Sequence, residues 1–200
     1  MRNSKIIYIT QTTVMLALLI GVQLITRSFS QLVTESIVNL ILLISVFMIG
    51  IYGGLTVAVL SPILCYLAGI GPAVIEIIPF IAIGNILFIT IAWLMARKTI
   101  YRMSTKDIAT SIAALVGLSF GSTPTKDIPA PFPGLAVASL GKFLFLRISI
   151  VQFVLPMIPG LEVSQVAVLS LAFSWPQLVT AFIGSMLAMI IIPQLKKAIK

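Results

Sequence analysis

The stretch LGKFLFLRISIVQF, residues 140–153, decides how this chain folds. Its Leu, Ile, Val and Phe residues read as a helix inside hydrocarbon, yet Lys142 and Arg147 stand among them. An ionised side chain near a bilayer centre costs at least about 2.5–3.5 kcal/mol, so each cation requires a polar counterpart. On an ideal helix the two lie about 140° apart around the axis and about 7.5 Å apart along it, so they need not meet the same group.

Working outward, the same apolar character fills the chain. Of its 200 residues 60% are hydrophobic and only 9% charged, which excludes an ordinary soluble domain. The expected fold is all-α: an integral membrane protein of six transmembrane helices, forming a single domain over 1–200. Because a helix needs about 20 apolar residues to cross about 30 Å, spans are expected at 6–25, 36–52, 55–68, 73–96, a fifth ending near 155, and 166–192. The first runs long, lacks a small-x-small cleavage site and precedes further spans, so it is expected to remain as a helix. The third is short and is bounded by Gly53-Gly54 and Gly69, so it must be tilted, broken or sheltered.

The formal charge of +8 punctuates the apolar segments instead of forming one basic face, so it indicates topology and not nucleic acid. Placing both termini in the cytoplasm puts Arg2, Lys5, Arg97, Lys98, Arg102, Lys106, Lys196, Lys197 and Lys200 inside. Residues 27–35, 69–72 and 156–165 then face outward and carry only Arg27 as a cation, as the positive-inside rule requires. Between the fourth and fifth spans, IATSIAALVGLSF (108–120) is too short to cross comfortably, and GSTPTKDIPAPFPG (121–134) is a Pro-rich polar interruption. The irregular region extends over about 117–141. A single crossing there keeps the terminal lysines inside. TKDI recurs at Thr105 and Thr125, too short a match to define a repeat.

Several chemistries are excluded by composition. The chain has no histidine and one cysteine, Cys65, so it offers neither a Ser-His pair nor a zinc or iron ligand set. Glu76 and Glu162 have no acidic partner that would make a general acid–base pair. AVASLGKF (136–143) lacks the first glycine and the Ser or Thr of a phosphate loop, so nucleotide-driven transport would need ATP bound on another polypeptide. The chain is therefore not expected to be an enzyme, nor to carry a metal or cofactor of its own.

Polar residues inside the spans are the candidate site. Lys142 and Arg147 read either as clamps for an anionic solute or as charges paired to Glu76, snorkelling, or meeting another subunit. In GPAVIEIIPFIAIGN (71–85), Pro79 interrupts the backbone ladder while Glu76 and Asn85 supply polar groups, which suits a cavity wall or a kinked packing helix. Gln152, Trp175 and Gln177 add hydrogen-bonding groups and an aromatic platform, with Pro176 distorting the last helix. In the first span Thr13, Ala17 and Gly21 form a small-residue stripe, suited to internal packing or to docking another membrane subunit.

Taken with TTVMLALLIG (12–21), KFLFL (142–146) and SWPQL (174–178), these residues resemble the substrate-binding S component of an energy-coupling factor (ECF) vitamin transporter. The resemblance implies a vitamin captured from outside between the outer loops and helices four to six. It also implies docking by helix one on a transmembrane scaffold protein driven by two cytosolic ATPase subunits, which carry the ATP and magnesium, as in an ABC-type importer. Such a protein is a multi-pass component of a prokaryotic cell membrane. The chain departs from the family pattern in the Thr13 and Gly21 of its stripe and in its longer, more polar 117–141 region.

Among vitamins, pantothenate is the first expectation, because its carboxylate suits Lys142 or Arg147 and its hydroxyls and amide suit Asn85, Gln152 and Gln177. A hydroxymethylpyrimidine or pyridoxine-type ring on Trp175 is the alternative, and folate and biotin share the anionic charge. A non-transport membrane scaffold, with polar residues holding helices together, is the rival of a different class. A lipid-modifying enzyme would need an acid–base set that the chain lacks.

Overall fold

A computed structural model describes residues 4–102 and 131–198, and among them every regular element is helical. In chain order these are α1 (Ser4–Thr26), α2 (Gln31–Met48), α3 (Ile51–Leu67), α4 (Ile78–Ile100, entered through a 3-10 turn at Ile75–Ile77), α5 (Phe132–Leu146), α6 (Val163–Ala172) and α7 (Trp175–Ala198). Five helical segments are long and apolar enough to cross a membrane, and α3 is a shorter sixth of 17 residues. The chain is thus a helical, multi-pass membrane protein. The segment 108–120, the Pro-rich residues up to 130, Lys106 and both TKDI tetrapeptides lie outside the described residues.

The decisive stretch forms one uninterrupted segment. From Leu146 the α5 helix widens into π-helical turns over Arg147–Val154 and closes with a last turn at Leu155–Met157, 26 residues in all, long and apolar enough for one crossing. The last crossing is instead broken. It is expected as one helix over 166–192, but it divides at Phe173 and Ser174 into α6 and α7, because Pro176 in the first turn of α7 cannot continue an existing ladder. The second helix begins earlier than expected, at Gln31, so that Glu35 belongs to a span and not to an outer loop. Glu162 has a local role: it caps α6 in a reciprocal box with Gln165.

At the centre lies α2, whose residues from Val38 to Phe47 are all buried, packed on α7, α3, α1 and α4. α5 closes the bundle between α4 and α7, while α1 lies at the periphery against α2 and α3. With no water to expel between helices in lipid, close approach depends on small residues. Gly184 is where α7 meets α2: a Cβ there would fall 2.7 Å from the Asn39 Cβ and 2.8 Å from the Ser36 carbonyl oxygen. Gly54 plays the same part between α3 and the Val46 backbone.

One end of the bundle gathers the cations. Lys196 stacks 3.6 Å over the Tyr101 ring, the Tyr101 hydroxyl donates to the Phe47 carbonyl, and Arg97 covers Trp93 at 4.2 Å. The opposite end, where α1 hands over to α2 and α3 to α4, holds the cavity described below.

Gly184→Ala is expected to force α2 and α7 apart and to destabilise the protein by about 1–3 kcal/mol. A thermal melt in detergent checks this, with Gly21→Ala as the control, since nothing lies within 4 Å of a Cβ added at Gly21. Equal melting temperatures for both variants would refute the close approach.

Candidate functional site

A cavity of about 370 Å³ opens at the end of the bundle away from the clustered cations. Its mouth is formed by Arg27 and Phe29 in the α1–α2 turn, by Ile70 to Pro72 between α3 and α4, and by the α6 residues Leu169 and Ala172. Deeper, its walls come from α2, α3, α4, α5 and the first turn of α7.

The backbone explains why helices fail to close here. Pro62 inside α3 removes a rung from its ladder, Pro79 stands in the first turn of α4, α5 widens into π turns, and α6 breaks from α7. Each irregularity keeps neighbouring side chains from interdigitating at full density. Non-helical backbone at membrane depth is tolerated where it lines a cavity.

Among the residues proposed from sequence, the structure brings Asn85, Lys142 and Gln177 together around this cavity. It does not bring the other four there. Glu76 is exposed on the 3-10 turn before α4, and Gln152 is exposed on the π turns. Trp175 is 57% exposed at the start of α7, outside the cavity lining, which removes the expected stacking platform from this site. Arg147 is likewise exposed and donates from its guanidinium to Ser174 Oγ at 2.5 Å, bridging α5 to the α6–α7 break. Neither cation pairs with Glu76 in the described structure. The separation of Lys142 from Arg147 around the helix has the expected consequence: one points into the bundle and the other away.

Lys142 is 2% exposed and finds its counterpart on the central helix. Its ammonium donates to Asn39 Oδ1 at 2.6 Å and lies 5.4 Å from the Phe88 ring centroid. The Asn39 amide in turn lies 3.5 Å from Thr180 Oγ1, and Thr180 donates to the Gln177 carbonyl. One turn along, Ser139 and Ser185 are 3.2 Å apart. Glu35, one turn before Asn39 on α2, also lines the cavity, but no ion pair closes between it and Lys142.

On the other wall the polar atoms have no such partners. Ser61 Oγ, Asn85 Oδ1 and Gln177 Oε1 are buried without a hydrogen bond among the described residues, and all three residues line the cavity. Their exposures are 2%, 3% and 3%. A buried polar atom left unbonded costs about 1–3 kcal/mol, which marks this wall as a surface awaiting hydrogen-bond donors. Gln177 is oriented by its own amide, which donates to the Ala172 carbonyl at 3.4 Å, where Gln31 also donates at 3.2 Å.

Sequence reasoning misses Arg27, Glu35, Asn39 and Ser61. Glu35 and Asn39 carry a readable signal, since their i, i+4 spacing in TESIVNLILL (34–43) puts both on one helix face. Ser61 carries none, because a serine in an apolar helix ordinarily bonds back to its own turn. Comparison with known protein families, with curated proteins and with solved structures finds no match to this chain.

The two walls respond oppositely to substitution. Asn39→Leu removes the acceptor of a buried ammonium and is expected to cost about 2–3 kcal/mol in the ligand-free protein. Asn85→Leu removes an amide with no protein partner and leaves the melting temperature unchanged or raised. Equal losses in a thermal melt would make Asn85 a structural residue.

Proposed function

We propose that this protein is the vitamin-binding S component of an ATP-driven ECF-type uptake transporter, capturing its substrate from outside. One observation carries the reading: three residues with buried, unbonded oxygens line a single cavity of ligand size at one end of a membrane bundle. Small-molecule sites are concave, mostly apolar and of about 300–1,000 Å³, with a few placed polar groups, and this cavity has that character. A scaffold protein gains nothing from unbonded amides, which lower its stability without return.

The cavity end is the one poor in cations, which the positive-inside rule assigns to the exterior. Substrate therefore enters from outside, and both termini are cytoplasmic. Pantothenate remains the favoured vitamin. Its two hydroxyls and its amide N–H supply three donors for Ser61, Asn85 and Gln177, and its carboxylate suits a cavity in which cations outnumber acids.

Energy comes from partners. With no phosphate loop in the chain, ATP and magnesium belong to two cytosolic ATPase subunits, coupled through a transmembrane scaffold protein. The docking face is α1: Thr13 and Ala17 are exposed, open space lies beside Gly21, and the helix contributes little to the core. Small residues left unused by internal packing suit close approach of another membrane helix.

Calorimetry of the purified protein against a panel of B vitamins tests the reading. Pantothenate is expected to bind saturably at submicromolar to micromolar concentration, and Asn85→Leu to weaken it by about tenfold or more. No heat with any vitamin would favour the scaffold alternative. Ala17→Leu is expected to leave binding intact while lowering vitamin uptake by cells about tenfold or more, through loss of docking; unimpaired uptake would remove α1 as the docking face.

A further inference from the structure

We propose that the cavity takes a monoanionic ligand in one polarity, with its carboxylate held by Arg27 at the mouth and its hydrogen-bond donors directed down to Ser61, Asn85 and Gln177. The inference rests on the reading of this cavity as a vitamin site and assigns the group that recognises the charge.

The cavity lining contains three charged side chains, Arg27, Lys142 and Glu35. Two are cations and one is a carboxyl group, so the cavity favours an anion. The two cations are not equivalent. Lys142 is already committed, donating to Asn39 at 2.6 Å and lying 5.4 Å from the Phe88 ring centroid. Drawing it onto a ligand would leave the buried Asn39 oxygen without its donor. Arg27 carries no such commitment, since no protein group bonds it among the described residues. Its guanidinium is a planar fork that fits a carboxylate bidentately.

Burial sets the direction of the ligand. Arg27 and Phe29 are exposed at the mouth, whereas Ser61, Asn85 and Gln177 are almost fully buried. The floor presents unbonded acceptors, Asn85 Oδ1 and Gln177 Oε1, together with the Ser61 hydroxyl oxygen. An anionic group placed there would face those oxygens, so the charged end stays at the mouth and hydroxyl or N–H groups go inward. A second anionic group on the ligand would find no uncommitted cation, because Lys142 is bonded to Asn39, and a cationic ligand would face Arg27 and Lys142.

Paired probes test this: pantothenate, and its alcohol analogue in which the carboxylate is replaced by CH2OH, titrated calorimetrically into the wild type and into Arg27→Gln. Arg27 is exposed and unbonded, so its replacement leaves the fold in place, which a thermal melt verifies. The wild type is expected to prefer pantothenate over the alcohol by about tenfold or more. Arg27→Gln is expected to abolish that preference while binding the alcohol within about twofold of the wild type, and Arg27→Lys to recover part of it. A preference that survives in Arg27→Gln, or is absent from the wild type while both compounds bind, overturns the assignment of Arg27 alone. Failure of both compounds to bind the wild type overturns the pantothenate reading of the cavity and this inference with it.

Discussion

A cation inside a membrane bundle must have an acceptor, and the arrangement of this protein follows from giving Lys142 one. Asn39 can meet it at 2.6 Å only if α2, α5 and α7 converge closely. Gly184 allows that convergence by presenting no side chain to Asn39 and Ser36. The same seam continues through Asn39 to Thr180 and through Ser139 to Ser185. Apolar helix surfaces are nearly interchangeable in lipid, so a line of complementary polar groups is what selects one packing of the helices over others.

Against that seam, the opposite wall reads as its functional counterpart. Polar groups of one kind serve the fold when they face each other across closely packed helices. They serve a ligand when backbone irregularity holds them apart from every neighbour. Pro62, Leu146 at the end of α5 and Phe173 at the α6–α7 break line the cavity, whereas at the other end Arg97 and Lys196 lie over aromatic rings. Arg147 belongs to this scaffolding of the irregular end: its bond to Ser174 ties the widened part of α5 to the break and so fixes where the mouth lies. Its charge, conspicuous in the sequence, is met by that bond at the surface of the bundle.

Much of the architecture is legible in the sequence because hydrocarbon leaves the chain few options. Apolar runs of sufficient length give the spans, and proline and glycine mark their ends. Polar residues within spans identify Asn85, Lys142 and Gln177 as cavity candidates, since their types alone are anomalous there. Residue type does not tell which way a side chain faces. Gln152 and Trp175 carry chemistry suited to a ligand, but the π turns and the break at Ser174 reset the angular position of everything after them, and both residues end outside the cavity lining. Glu35 is hidden by a boundary placed five residues late, which makes a membrane carboxylate look like a loop residue. The unbonded state of Ser61 depends on what α3 fails to touch, and no local pattern records that.

The energies of the two walls explain how such a site can exist at all. Three unbonded polar atoms cost about 3–9 kcal/mol together, a sum comparable with the whole stability of many proteins at about 5–15 kcal/mol. The satisfied seam between α2, α5 and α7 must therefore hold the fold while the other wall is empty. A ligand that supplies donors to Ser61, Asn85 and Gln177 recovers part of that cost as binding free energy, and it stabilises the folded bundle increasingly as its concentration rises above Kd. The same hydrogen-bond deficit that burdens the free protein makes it selective, because an analogue lacking one donor leaves one oxygen without that partner. Selectivity and marginal stability are here two readings of one set of oxygens, and Lys142, secured by Asn39, is what lets the bundle bear both.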